Sequence, residues 1–259
     1  MNSSSLRIGI VMMAIGATTA GCATSTYNPG TEHQETLIFG TEREIAIGES
    51  VSKQVDKQFT VIKDPKLLEQ LDRVSNRLVP VADRKDLSYR FTIVEMPEDD
   101  QPNAFALPGG PVYVTQSLMA LVKSDDELAS VLGHEMGHVV AKHAMKHLQA
   151  SIGMQALQIA AVATKTDSQT IQGMDLAITS LFLEYSQEDE LEADRLAVKY
   201  TYLAGFDMNG IIETFKVLEQ DSKGPNVPVI LRSHPFLSDR IAAVAKEIAV
   251  VKEKYGDKR

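Results

Sequence analysis

The sequence predicts an α+β fold that is mainly helical, with a small β-sheet or hairpin packed over one central helix. Apolar and polar residues alternate in short runs between residues 89 and 115, which predicts strands. From residue 124 onwards the chain is almost entirely helical in pattern. Because no internal repeat and no second boundary interrupts residues 37–259, we expect this range to form a single domain.

The composition of the 259-residue chain argues against two classes of protein. Hydrophobic residues make up 44% of the sequence, which is enough to build a core and argues against disorder. The formal net charge of -9 argues against a nucleic-acid partner, because binding to phosphates depends on clustered Lys and Arg.

The first 36 residues are expected to lie outside the domain. Residues 1–21 contain a short apolar run with the pattern of an export signal, and they end immediately before Cys22, the only cysteine. The sequence TAGC resembles the lipobox of bacterial lipoproteins, with Thr19 in place of the usual Leu. This resemblance implies acylation of Cys22 and, with Ala23 after it, anchoring on the periplasmic side of the outer membrane. Residues 22–36 are rich in Thr, Ser, Pro and Gly, which predicts a flexible tether.

Local signals predict the remaining elements. Helical apolar spacing from Ile45 to Phe59 predicts a first helix, and Pro65 after Asp64 is typical of the first turn of a second. The sequence SYRFTIVEM predicts a strand, and NAFAL and PVYVT predict two more. They are separated by Pro-Gly-Gly at residues 108–110, which favours a hairpin.

The sequence GHEMGHVV lies in a predicted unbroken helix over residues 125–148. Positions four apart on a helix differ by about 40°, so His134 and His138 project from one face, where they can share a metal ion, with Glu135 beside them. Gly133 and Gly137 lower helix propensity but leave room for another backbone to approach. An ordinary amphipathic helix would not favour two glycines at these positions.

Two further histidines follow on the same predicted helix. On this helix His143 and His147 point about 140° to 180° away from the face of His134 and His138. We therefore interpret them as structural or surface residues and not as metal ligands.

A third ligand is expected from residues 186–200, because a catalytic zinc ion takes three protein ligands and leaves one position for water. The apolar stripe of this helix places both Asp189 and Glu190 on or beside its buried face, and periodicity does not decide between them. Asp194 lies one turn after Glu190, where its carboxylate can accept a hydrogen bond from a ligating imidazole.

The sequence GHEMGHVVAKH, followed by ELEAD, resembles the HtpX-type family of HExxH zinc metallopeptidases and, within it, the LoiP-, YcaL- and BepA-like periplasmic lipoprotein proteases. NAFALPGGPVYVT and RSHPFLSDR resemble further patterns of this family. The likeness extends from about residue 37 to residue 249. It implies a zincin-like metalloprotease domain that binds Zn²⁺.

The resemblance also implies roles for individual residues. It makes Glu135 the catalytic base and Asp194 the hydrogen-bond partner of a ligand. The implied zinc ligands are His134, His138 and Glu190. His234 corresponds either to a fourth ligand that keeps the enzyme latent, as in BepA-like relatives, or to a group that stabilises the oxyanion. Arg240 is implied to support substrate or its own loop, with a surface ion pair as the alternative.

The implied function is that of a zinc endopeptidase of the bacterial cell envelope, with Glu135 assisting attack by water on unfolded or misassembled proteins. An extended substrate could add to the edge strand of the hairpin at Asn103, Ala104 and Phe105, unless the hairpin only covers the core. Two alternatives are a chaperone or assembly factor for outer-membrane proteins that uses the same groove, and a lipoprotein with a purely structural zinc ion. Glu135 argues against binding as the sole role, whereas a site closed by four protein ligands would favour structural zinc.

Overall fold

The computed structural model describes residues 24–96, 101–151, 185–221, 229–235 and 237–256. The predicted export signal and Cys22 therefore lie outside the described residues. The α+β, mainly helical class is confirmed. The strands are β1 (Thr24–Asn28), β2 (His33–Leu37), β3 (Thr60–Val61), β4 (Arg90–Glu95), β5 (Ala104–Ala106) and β6 (Pro111–Thr115).

Helices account for most of the described residues. They are α1 (Thr41–Gln58), α2 (Pro65–Leu78), α3 (Gln116–Leu121), α4 (Asp125–Val140), α5 (residues 143–151), α6 (Gln187–Leu203), α7 (Gly210–Asp221), α8 (Val229–Ser233) and α9 (Leu237–Tyr255). The Asp64 side chain accepts hydrogen bonds from the backbone at the start of α2, and Ser124 does the same for α4. None of the helices in the described ranges has the length and apolar character needed to cross a membrane.

A four-stranded sheet lies between two layers of helix. Its strand order is β3-β4-β6-β5, with β4 and β6 parallel and the other pairs antiparallel. Because successive side chains of a strand point to opposite faces, Ile93 packs with the cluster that contains α2 and α4, whereas Val94 packs with α1. The sheet thereby fixes α4 from one side, and the C-terminal helices pack on the other side of α4.

The predicted hairpin of β5 and β6 is confirmed, and β5 forms one edge of the sheet. Its turn contains Gly109 and Gly110, both with positive φ, at 79° and 116°. A Cβ on Gly110 would lie 2.7 Å from the carbonyl oxygen of Ser88. Glycine at this turn therefore satisfies both the backbone conformation and the close approach.

Residues 24–37 differ from the flexible tether predicted for residues 22–36, because β1 and β2 pair as an antiparallel hairpin. The turn of this hairpin is held by distant parts of the chain. Asn28 Nδ2 donates to the carbonyl oxygen of Val140 at 2.6 Å, and Arg195 donates to the carbonyl oxygen of Gly30 at 3.0 Å. The first of these bonds satisfies a carbonyl at the C-terminus of α4, which lacks a helical partner. Local composition could not reveal these long-range contacts.

The helix that carries the two histidines also differs from the prediction. It ends at Val140, and Lys142 adopts the left-handed conformation with φ 57° before α5 begins at His143. The predicted continuous helix over residues 125–148 is therefore two helices joined by a sharp turn.

Candidate metal centre

Close packing of α4 against α6 builds the centre. Gly137 faces Ala193, where an added Cβ would lie 2.8 Å from the carbonyl oxygen, and Gly133 faces Ala197 at 3.4 Å from its Cα. The expectation that these glycines admit another backbone is confirmed. Because Glu190 lies one turn before Ala193, the same contact carries its carboxylate to the histidine face of α4.

Four buried side chains converge at this face: His134, His138, Glu190 and His234. The two Nε2 atoms of His134 and His138 are 3.0 Å apart, and they lie 3.5 and 3.4 Å from the two carboxylate oxygens of Glu190. His234 Nδ1 lies 3.3 Å from His134 Nε2 and 2.9 Å from Glu190 Oε1. The structure thus separates Glu190, which joins the cluster, from its neighbour Asp189, which does not.

The spacing of these atoms fits a tetrahedral metal ion. Nitrogen ligands about 2.0 to 2.1 Å from zinc stand roughly 3.3 to 3.4 Å from one another in a tetrahedron. Five separations among these atoms, 2.9 to 3.5 Å, bracket this value, and one donor atom from each of the four side chains lies within 4.8 Å of the others. The donor set of three imidazoles and one carboxylate is also one that zinc accepts.

Glu135 lies beside the cluster and is buried. The Oε1 atom of Glu135 is 3.7 Å from Nε2 of His234. The other ring nitrogen of His234, Nδ1, faces Glu190. Burial raises the pKa of the Glu135 carboxyl above its usual value. A carboxyl with a raised pKa is better able to exchange a proton near neutral pH.

The ring nitrogen of His134 that faces away from the other donors contacts an ion pair formed by Asp194 and Arg240. This atom, Nδ1, lies 2.9 Å from Asp194 Oδ1, and Arg240 donates to both carboxylate oxygens of Asp194 at 2.8 Å. Burial alone would raise the pKa of Asp194, but the Arg240 guanidinium holds it below the usual range. Arg240 is 3% exposed and also contacts Glu190 Oε2 at 2.5 Å, so the surface ion pair considered for it is wrong.

Two aromatic residues that sequence reasoning did not place at the centre surround His138. His143 is fully buried, and its Nδ1 lies 2.8 Å from His138 Nδ1. The ring of Tyr185 stacks on that of His138 with centroids 4.1 Å apart. The break after α4 brings His143 back towards His138, and no Gly or Pro in the sequence marks that break. The interpretation of His143 as structural thus missed its contact with a candidate ligand.

The predicted substrate-binding residues Asn103, Ala104 and Phe105 differ in whether their main chains pair with β6. Thr115 N donates to Asn103 O, and Leu107 N donates to Pro111 O, both across the β5–β6 pair. Since hydrogen bonding alternates along an antiparallel pair, the main chain of Phe105 also faces β6, whereas that of Ala104 points away from β6, where the residue is fully buried. Beyond this edge strand, Ala106 and His138 border one small pocket.

An apolar pocket adjoins the other side of the centre. It has a volume of about 40 Å³ and lies between α4, α7, α8 and α9. Its apolar lining includes Val131, Ile211, Phe215, Leu218, Ile230 and Leu237, and it also contacts Glu135 and Arg240.

Comparison with known proteins agrees with the geometry. Residues 65–248 match Peptidase family M48. The beta-barrel assembly-enhancing protease of Escherichia coli K12 is 28% identical over 224 residues, covering 82% of this chain and 45% of that protein. The mitochondrial metalloendopeptidase OMA1 of Schizosaccharomyces pombe is 32% identical over 190 residues, covering 72% of this chain and 55% of that protein. Metalloprotease LoiP of Escherichia coli K12 is 24% identical over 246 residues, covering 91% of this chain and 94% of that protein.

The chain spans less than half the length of the beta-barrel assembly-enhancing protease that it matches. The family match, however, covers most of the present sequence and includes all four residues of the candidate metal centre. The chain belongs to Peptidase family M48.

Proposed function

We propose that this chain is a zinc-dependent endopeptidase in which His134, His138 and Glu190 hold the ion. The observation that carries the proposal is the buried Glu135 beside four buried donor side chains whose ligand atoms lie close enough together to share one metal ion. Membership of a peptidase family and the metalloprotease names of relatives support it.

The proposed chemistry divides between the ion and the side chains. A bound zinc ion would supply a Lewis acid that polarises a peptide carbonyl and makes water more acidic. Glu135 takes a proton from the attacking water and returns it to the leaving amine. The raised pKa of Glu135 suits both steps, since the group must accept and then release the proton. Asp194 and Arg240 hold the imidazole of His134 in place.

His234 is proposed to close the centre as a latch. With its Nδ1 among the other three donors, the cluster offers four protein ligands, and no tetrahedral position remains for water. Hydrolysis then requires His234 to move away. A purely structural ion would also have four ligands, but it would not need the buried carboxyl of Glu135 beside it.

The substrate is proposed to be an extended, unfolded polypeptide. The main chain of Ala104 points away from β6 but is fully buried, so pairing with such a chain as an added strand requires this edge to be uncovered first. Asn103 and Phe105 pair with β6 and shape the edge from within the sheet. The apolar pocket beside Glu135 can receive a small apolar side chain of the substrate. Strand pairing favours an extended chain and the pocket favours an apolar side chain, and unfolded or misassembled proteins expose both.

Quality control in the bacterial envelope is proposed as the setting, with anchoring through acylated Cys22 on the periplasmic side of the outer membrane. The lipobox-like sequence and the name of the beta-barrel assembly-enhancing protease support this. Mass spectrometry of the mature N-terminus should find a diacylated cysteine in the outer-membrane fraction. Mature protein with an unmodified Cys22 thiol would remove the anchor from the proposal.

Cleavage of casein by zinc-loaded protein tests the endopeptidase proposal. Glu135→Gln should keep one zinc ion per chain and lower the rate by at least about 100-fold, because the base is lost while the ligands remain. The exposed Glu188 on α6 provides a matched control, and Glu188→Gln should cleave at the wild-type rate. Wild-type protein that binds zinc and unfolded casein without cleaving it would instead favour the chaperone. Zinc binding without casein binding or cleavage would favour a structural ion.

A further inference from the structure

His143 connects the candidate ligand His138 to two carboxylates of α6. Its Nδ1 lies 2.8 Å from His138 Nδ1. On the opposite side of the ring, His143 Nε2 lies 3.2 Å from Glu192 Oε2 and 3.3 Å from Asp189 Oδ1. The His143 ring is fully buried, so water cannot substitute for these partners.

The chemistry of this contact determines which nitrogen carries each proton. Two imidazole nitrogens 2.8 Å apart form a hydrogen bond only if one of them carries a hydrogen. Because His138 directs Nε2 to the other donors, its Nδ1 must be the protonated nitrogen when a metal is bound. His143 Nδ1 then accepts, and His143 Nε2–H donates to the carboxylates. Every donor in this chain of contacts meets an acceptor.

The backbone is arranged to deliver these groups together. The left-handed Lys142 lies between the end of α4 and the start of α5 and turns the chain so that His143 is directed at His138. The carboxylate of Asp189 is fixed by the capping box of α6, in which it accepts from the backbone N–H and hydroxyl of Ser186 at 3.2 and 2.8 Å. Because Asp189 and Glu190 are adjacent, one turn of α6 supplies both a candidate ligand and an anchor for His143.

We propose that His143 is a positioning residue that fixes His138 in the tautomer and ring orientation needed to bind the metal through Nε2. The proposal rests on the proposed zinc site but concerns a residue outside the ligand set. Outer hydrogen-bond partners of ligating histidines commonly contribute about 10- to 100-fold to metal affinity.

Three substitutions separate this role from a merely structural one. His143→Gln places an amide near the position of Nε2, keeping the link to the carboxylates but losing the acceptor for His138. His143→Asn places an amide oxygen near the position of Nδ1 and restores that acceptor. His147 lies four residues later on α5, contacts Asp189 Oδ2 at 3.0 Å and has a side chain that is 22% exposed, so His147→Gln is a matched control.

Competition of each full-length protein with a chromophoric chelator for zinc measures the effect. We expect zinc affinity to fall roughly 10- to 100-fold in His143→Gln, to recover to within about threefold of wild type in His143→Asn, and to remain unchanged in His147→Gln. Equal affinities in wild type and His143→Gln would overturn the positioning role alone. Wild-type protein that binds no zinc would overturn the proposed metal site and this inference together.

Wild-type protein provides a test that does not depend on the folding of a variant. In nitrogen-15 histidine spectra of the zinc-loaded chain, His138 should carry its hydrogen on Nδ1, and His143 should carry its hydrogen on Nε2 alone. A hydrogen on His143 Nδ1 would contradict the proposal, since that nitrogen could not then accept from His138.

Discussion

The two histidines of α4 differ in how they are held, although they lie one turn apart and face the same donors. His134 contacts the carboxylate of Asp194, which is itself paired with Arg240. His138 contacts the ring of His143, and the carboxylates of Glu192 and Asp189 contact the far side of that ring. A carboxylate makes an imidazole more basic but must be buried with its own countercharge, which Arg240 supplies on the His134 side. The two sides should therefore respond differently to substitution.

The charges around the two histidines differ as well. Burial lowers the pKa of His138 well below its usual value, so this ring is neutral, as a metal ligand must be. On the other side, Arg240 holds the buried Asp194 in its charged form. Arg240 also donates to the carbonyl oxygen of His234 at 3.2 Å. Arg240 thus connects the backbone of His234, the proposed latch, to the pair of Asp194 and Arg240 that contacts His134.

The largest expected loss of stability comes from substitution of Arg240, beside His134. Arg240→Met should lower the free energy of unfolding by about 3 to 5 kcal/mol, because Asp194 and Glu190 lose a buried countercharge. Chemical denaturation measures this loss. Arg73→Met is the control, and it should change little, since water screens the exposed ion pair of Arg73 with Asp125. Similar losses in both variants would show that the buried pair is not what stabilises this side.

A smaller loss of stability is expected from a substitution at the contact between α4 and α6, and it should disturb both His134 and His138. Gly137→Ala should cost about 1 to 3 kcal/mol and weaken zinc binding, because the new Cβ would displace the backbone of Ala193. Gly133→Ala is the matched control, since its Cβ would lie at ordinary contact distance from Ala197. Thermal unfolding and zinc titration check the pair. Equal zinc affinity in the two variants would show that this contact does not position the ligands.

The smallest expected change in stability comes from removing the latch. His234→Ala should retain zinc and raise the basal rate of casein cleavage, because a position becomes free for water. If His234 instead stabilises the oxyanion, the rate should fall by roughly 100-fold with substrate binding nearly intact. Rates over a range of casein concentrations distinguish the two outcomes. Unchanged cleavage and unchanged zinc affinity would leave His234 with a structural role.

The sequence predicted the helix face of His134 and His138, the positions of β4, β5 and β6 and the close approach at the two glycines, because each depends on local periodicity or residue size. Periodicity alone left Asp189 and Glu190 equivalent, and the family resemblance favoured Glu190. His143 was misplaced because the break at Lys142 depends on tertiary contacts and has no Gly or Pro to mark it. The prediction of a flexible tether over residues 22–36 was wrong for residues 24–36 for a related reason, since distant partners such as Val140 order that hairpin.

The most direct test of the central claim is a crystal structure of the zinc-loaded wild-type chain with diffraction data collected on both sides of the zinc absorption edge. We predict one anomalous peak per chain, bound by Nε2 of His134, Nε2 of His138 and the carboxylate of Glu190, with His143 within hydrogen-bond distance of His138 but not of the ion. A fully zinc-loaded crystal with no peak among these three side chains, or with its peak elsewhere in the chain, would contradict the account.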